Sequence, residues 1–333
     1  MEATTSFKQN NALEFLKFFA ALLITNSHFG NLYGKYSILA TGGAIGDSLF
    51  FFCSGIALSY ARFDRFDNWY KRRVFRIYPS VISTNIISII TGLTLSYSTV
   101  YQPFTGGGWF FRAILIFYLI LYGLSHFSVK NLRIILSVTI IGLLASSFFL
   151  IKSPEDVYSS GSYYAWGVYF TTFLFGFICG KGSILNKKHV TYKGIVILII
   201  CITMYYGYLA CCNRFSELLW LRILSIFPLY GILVFFYLSC DSTNASKLLT
   251  SKYNFPIIFI SSLCWEIYLA QLFIVLPYPG LFTRNLPLPI NIFATFALIL
   301  VVAYVIKVLS RFIIQIFSRD KFDWTYMVQI WKR

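Results

Sequence analysis

Apolar runs of about 20 residues recur along the whole chain, and they limit its fold more than any other feature. Runs of that length suit a hydrocarbon core, where each backbone N–H and C=O must find its partner within the segment. Ten candidate spans are readable: 12–33, 42–60, 77–98, 109–127, 132–151, 165–181, 194–212, 216–240, 255–277 and 289–317. The 333 residues are 58% hydrophobic and 12% charged, values that a water-soluble domain rarely reaches. The expected fold is all-α: one polytopic membrane domain over 1–333 with about ten transmembrane helices and no appended soluble domain. The N-terminus lacks the charged start, short apolar run and cleavage site of a signal peptide.

Lys and Arg number 28 against 12 Asp and Glu, a net charge of +16. Such a balance raises the question of nucleic acid, but basic residues also gather in cytoplasmic loops. With the N-terminus inside, 19 of the 28 fall in inner segments and four in outer ones, Lys35, Lys152, Arg214 and Arg284. The other five, Lys17, Arg112, Arg222, Lys307 and Arg311, lie within spans. This asymmetry predicts an N-in, C-in topology and accounts for the charge without a nucleic-acid partner. The seven cysteines fall mostly in apolar runs with no CxxC spacing, so they read as small buried residues, not as a disulfide framework or a metal site. Gly106-Gly107-Gly108 and Ser159-Ser160-Gly161-Ser162 read as turns between spans.

An ionisable side chain inside a span is costly unless it is paired, faces a cavity or reaches the interface. Lys17 and His28 are eleven residues apart in the first span. At 100° per residue that is three turns plus about 20°, so the two share a helix face about 16 Å apart along the axis. Glu14 precedes Lys17 by one turn and suits an i,i+3 pair. A polar stripe thus runs from the inner surface past the membrane midplane to an imidazole, the side chain best suited to take and return a proton near neutral pH. A basic face follows in NWYKRRVFRIYP (68–79), where Arg73 and Arg76 are i,i+3 with Arg72 beside them. Lys307 and Arg311, i,i+4 at the inner end of the last span, join Lys17 and that pair as candidates for an inward ring around a polyanionic cofactor. Asp47, Arg112, Arg222, Glu266 and Gln271 form a further polar set, mostly in the outer half, in which Asp47, Gln271 and His28 sit at similar depth. Separate buried pairs that fix helix packing would leave the same pattern.

Four segments, in order, resemble the acyltransferase 3 family of integral membrane O-acyltransferases. LEFLKFFAALLITNSHF (13–29) is similar to the family's basic residue, ten residues, then histidine, with Lys17 and His28 at that spacing. GDSLFFFCSGIALSY (46–60) resembles its aromatic run followed by Ser-Gly. YKRRVFRIYP (70–79) fits Arg-x-x-Arg before a proline, matched by Arg73, Arg76 and Pro79. CWEIYLAQ (264–271) is similar to a late-span motif, with Gln271 where many members have histidine. Gly108-Trp109 and Phe117-Tyr118 also fit.

The resemblance implies transfer of an acyl group, usually acetyl, from cytoplasmic acyl-CoA to a hydroxyl of a surface glycan or related acceptor, in a bacterial inner membrane. Acetyl-CoA is then the co-substrate, with no metal. Lys17, Arg73, Arg76, Lys307 and Arg311 would receive its phosphates, and His28 would act at the thioester. Either His28 deprotonates the acceptor directly or it carries the acyl group itself. Arg222, Arg112 or Tyr268 would steady the oxyanion, and Asp47 or Glu266 would orient the imidazole. The acceptor, membrane lipids and other polysaccharide-assembly proteins are the implied partners. A transporter or flippase for a glycan or small molecule, a non-enzymatic receptor or scaffold, and an acyltransferase for a small-molecule acceptor are the competing readings. The first is disfavoured by Pro79, Pro228, Pro256 and Pro277, which do not fall in two equivalent halves.

Overall fold

The computed structural model of the protein describes residues 11–92, 108–159, 161–182, 185, 192–241, 247–249, 251, 254–275, 286–318 and 321–330. Gly106, Gly107, Ser160, Pro277 and Arg284, and the far ends of the expected spans 77–98 and 255–277, lie outside the described residues. Within them every regular element is helical. The first part holds α1 (Asn11–His28), the single turn α2 (Gly30–Tyr33), a 3-10 segment (Gly34–Leu39), α3 (Gly43–Ser59), α4 (Phe66–Thr91) and α5 (Gly108–Leu124). There follow α6 (Val129–Leu150), α7 (Tyr163–Lys181), α8 (Tyr192–Arg214), a second 3-10 segment (Ser216–Ser225) and α9 (Ile226–Cys240). The last part holds α10 (Phe255–Ser262), α11 (Cys264–Ile274), α12 (Leu288–Ile316) and α13 (Trp324–Val328).

Five stretches are long and apolar enough to cross a membrane: α4, α6, α8, Glu217–Cys240 and α12. The number rises to seven if each of two bent pairs is one span: Gly30–Leu39 with α3, bent by 99°, and α10 with α11, bent by 58°. The remaining expected spans fall short for local reasons. Helix α1 carries Glu14, Lys17, Asn26 and His28 in 18 residues, α5 has 17, and α7 is diluted by Tyr163, Tyr164, Trp166, Tyr169, Thr171 and Thr172 in 19. The first expected span also stops earlier than 33. Asn26 donates to the carbonyls of Leu39 (2.8 Å) and Thr41 (2.9 Å) and accepts from Tyr33 Oη (2.7 Å), which turns the chain just past His28.

The chain divides into two units. The first comprises Met1–Phe18, Ser48–Ala61 and Phe127–Ile258. Its centre is α7, which buries Val168, Tyr169, Phe173, Leu174 and Phe177. Gly176 and Gly180, a small-xxx-small pair, let α7 lie against α3 backbone to backbone. A Cβ added at Gly55 would come within 2.1 Å of the Phe173 carbonyl oxygen, and one at Gly176 within 2.3 Å of that of Phe52. Ile151, Val157, Tyr164, Val168, Ile223 and Ile226 form an apolar nucleus nearby. Helices α6 and α8 turn most of their surface outward, exposing Ile134, Val138, Ile141, Ile199 and Met204. Outward apolar side chains are what a lipid solvent calls for.

The second unit comprises Phe19–Asp47, Arg62–His126 and Phe259–Arg333. Helices α4, α11 and α12 pack mutually, and α5 packs on α4. Pro79 sits inside α4, followed by a buried polar stretch. That stretch is satisfied locally: Ser83, Thr84 and Asn85 donate to the carbonyls of Pro79, Ser80 and Val81 at 2.8 to 2.9 Å.

Candidate functional site

Most of the candidate residues lie in the second unit, and three of them, His28, Gln271 and Asp47, lie on or beside the end of α1. His28 is the final residue of that helix, half-buried, and makes no hydrogen bond to any described residue. One turn earlier, Thr25 Oγ1 donates to the Ala21 carbonyl (2.7 Å), so it can only accept from Gln271 Nε2, also 2.7 Å away. Gln271 is 1% exposed, and its Oε1 is buried without a hydrogen-bond partner among the described residues. The contact places Gln271 against α1 one turn below His28, leaving an acceptor oxygen in an apolar setting. Such an oxygen is costly to leave unsatisfied. Asp47, half-buried, follows a glycine pressed onto α1: a Cβ at Gly46 would meet Ile24 Cγ1 at 2.7 Å.

Glu266, on α11, lies in a second polar cluster. Its Oε1 accepts from Ser80 Oγ (2.7 Å) on α4 and from Lys307 Nζ (3.0 Å) on α12, and Ser310 Oγ is 3.2 Å from Ser80 Oγ. The Glu266 side chain is 1% exposed and that of Lys307 24%. Glu266 Oε2 is buried with no partner among the described residues. Sequence reasoning put Glu266 with the acceptor set and Lys307 with the donor set, whereas the structure joins them in one ion pair. Between Glu266 and Gln271, Trp265 stacks on Tyr268 with ring centroids 5.5 Å apart, and Phe110 faces Tyr268 at 5.4 Å. Trp265 Nε1 also donates to the Ile77 carbonyl (3.2 Å), two residues before Pro79. Gly108, at φ +67°, is in the left-handed region and lies against the Tyr268 hydroxyl, 3.0 Å from where a Cβ would stand. That contact is the structural reason for a glycine before Trp109.

The basic face of α4 separates into members with different surroundings. Arg72 makes a two-pronged bridge to Asp64 (2.6 and 2.9 Å) in the loop before α4. The Arg72 guanidinium holds the exposed Asp64 carboxyl below the usual carboxylate range. Arg73 lies over the Trp69 ring, 5.6 Å from its centroid, with its Nε buried and unbonded. Arg76, one turn on, is exposed. Arg311 donates to the carbonyls of Tyr326 and Ile330 and lies over the Tyr326 ring at 4.6 Å. It thereby ties the C-terminal segment to α12. Arg112 is exposed on α5.

In the first unit, Lys17 Nζ bonds Glu14 Oε1 at 3.3 Å, the i,i+3 pair that the spacing suggests. Arg222 donates to Asn213 Oδ1. Ser80, Ser310, Thr25 and Asn213 were not singled out in the sequence. Two had a usable signal: Ser80 directly follows Pro79 of the basic motif, and Thr25 stands one turn before His28.

A family model described as an acyltransferase domain matches residues 10–308 of the chain. No curated protein and no solved structure gives a match. The match takes in every candidate residue except Arg311.

Proposed function

The chain belongs to the acyltransferase 3 family, and from that premise we propose that it transfers an acetyl group from acetyl-CoA to a hydroxyl of an envelope glycan, with His28 as the general base. It is an acyltransferase of the membrane; the donor, the acceptor and the base are this proposal's content. The observation that carries it is the bond between Thr25 and Gln271. It sets a buried, unsatisfied carbonyl oxygen one turn from the imidazole, where an acceptor hydroxyl has a partner to donate to before the base takes its proton. Tyr268, three residues before Gln271 on α11 and so on the same face, supplies an O–H for the oxyanion.

The step balances simply. His28 removes the hydroxyl proton, the oxygen bonds to the thioester carbon, and the C–S bond breaks. The CoA thiolate leaves and takes the proton back from His28. Ten spans with both termini inside put Arg73 and Arg76 at the cytoplasmic surface, where forked guanidinium donors suit the CoA phosphates. Lys17 begins the same helix that ends at His28, so one element links the donor's side of the membrane to the base. The membrane is the bacterial inner membrane in this reading.

The test uses membranes containing the protein, supplied with radiolabelled acetyl-CoA, with label counted in the glycan fraction. His28→Ala should insert and fold as the wild type does while transfer falls at least about a hundredfold, the usual worth of a positioned base. Transfer within threefold of wild type would remove His28 from the chemistry. Retained acetylation with lost glycan export would identify a transporter.

A further inference from the structure

Arg222 is a half-buried cation with no carboxylate partner among the described residues. It lies in the 3-10 segment Ser216–Ser225, which forms the first part of Glu217–Cys240, a stretch apolar enough to span a membrane. Its Nη1 is held by Asn213 Oδ1, a neutral acceptor at the end of α8. The other edge, Nε with Nη2, makes no hydrogen bond to any described residue, and Nε is buried. That edge is the side-on fork with which arginine grips two oxygens of one carboxylate or phosphate.

The titratable groups beside it are Tyr205, Tyr158 and Cys212, none of them a carboxylate. The described carboxylates nearest in the chain are committed elsewhere or exposed. Asp156 Oδ2 accepts the backbone N–H groups of Lys152 and Ser153, each at 2.7 Å. Glu155 and Glu217 are exposed, and no ion pair joins Arg222 to any described carboxylate. Meanwhile the surroundings are fixed. Ser225 Oγ donates to the Arg222 carbonyl (2.7 Å), so Tyr158 Oη donates to Ser225 Oγ (2.6 Å), and Tyr158 and Tyr205 face each other at 6.1 Å between centroids. Tyr208 Oη donates to the Leu221 carbonyl at 3.1 Å. The backbone and neighbours of a half-buried guanidinium are thus held by hydrogen bonds while its Nε–Nη2 edge has no partner among the described residues. A partly buried charge without a counter-charge is costly to keep unless something binds to it.

We infer that Arg222, with Asn213, Tyr158 and Tyr205 around it, is a binding seat for an oxyanion, a carboxylate or a phosphate. If the acyl-transfer reading holds, the seat takes an acidic group of the acceptor; that clause alone rests on the reading. Two sources share the chemistry: an acid carried by the acceptor and the headgroup of an anionic lipid.

The test is binding to the full chain in dodecyl maltoside without acyl donor. Glucuronate and inorganic phosphate probe the first source by calorimetry, and phosphatidylglycerol retained in native mass spectra probes the second. In either arm Arg222→Gln should weaken binding at least about tenfold, the worth of a charge-assisted bond. Arg222→Lys, which keeps the charge and guards against a folding defect, should weaken it several-fold through loss of the fork. Binding of the soluble anions points to the acceptor, and retention of phosphatidylglycerol alone points to lipid. If neither arm depends on Arg222, the seat is overturned. Seat and transfer fail separately: anion binding unchanged by Arg222→Gln refutes only the seat, and near-wild-type transfer by His28→Ala refutes only the transfer reading.

Discussion

The partners of Glu266 set an asymmetry that a pair of substitutions can read. Lys307→Met leaves a carboxylate 1% exposed, with Ser80 as its remaining donor and one oxygen already without a partner among the described residues. Breaking a buried pair from that side costs up to about 3 kcal/mol. Glu266→Gln keeps the bond to Ser80 and strands an ammonium whose side chain is 24% exposed and long enough to reach polar surroundings. Thermal unfolding in detergent should therefore show a clearly larger drop in Tm for Lys307→Met; the reverse order would mean that Glu266 is held by something other than this lysine. At this scale the sequence marked the charged residues but not their partners. Glu14 with Lys17 follows from spacing along one helix. Glu266 with Lys307 does not, because those residues are far apart in the chain and sit on different helices, α11 and α12. Depth estimates sorted them into opposite groups for that reason. Gln271 was readable only as being level with His28; the contact through Thr25 needed coordinates.

Between elements, close approach is set by glycines whose roles differ although their sequence settings look alike. Gly55→Ala puts a methyl 2.1 Å from the Phe173 carbonyl oxygen, which forces α3 and α7 apart, at a cost of about 1–3 kcal/mol for overpacking. Gly123→Ala, at the end of α5 with nothing within 4 Å of the new methyl, should instead gain a few tenths to about 1 kcal/mol from helix propensity. The Tm in detergent should fall for the first and hold or rise for the second. A fall in both would show that Gly123 is covered by something other than the described residues. Helix existence was legible throughout, because apolar runs of this length have no other stable form in lipid. Helix integrity was not. The turn after His28 depends on Asn26 bonding to carbonyls 13 and 15 residues away. The break at Leu263 between α10 and α11 carries no proline or glycine to announce it. Periodicity cannot register either, so 12–33 and 255–277 read as single spans.

Over the whole molecule, the family match covers residues 10–308 and makes the chain a membrane acyltransferase, while five to seven of its described helical stretches are long and apolar enough to cross a membrane. Composition was enough for a polytopic all-helical membrane protein, and ordered motifs were enough for the family. The division into two units was hidden because each draws on segments far apart in the chain, with the boundaries falling inside α1, α3 and α10. Helix α1 runs from Asn11 to His28, and the proposed transfer makes the central claim vectorial: donor on one side, acceptor on the other. Proteoliposomes of defined orientation test it directly, with radiolabelled acetyl-CoA confined to the face bearing the N-terminus and the envelope glycan enclosed on the opposite face. Label should accumulate on the enclosed glycan and vanish with His28→Ala, and acetyl-CoA supplied only to the glycan's side should give none. Labelling that requires donor and glycan on the same face would contradict the account.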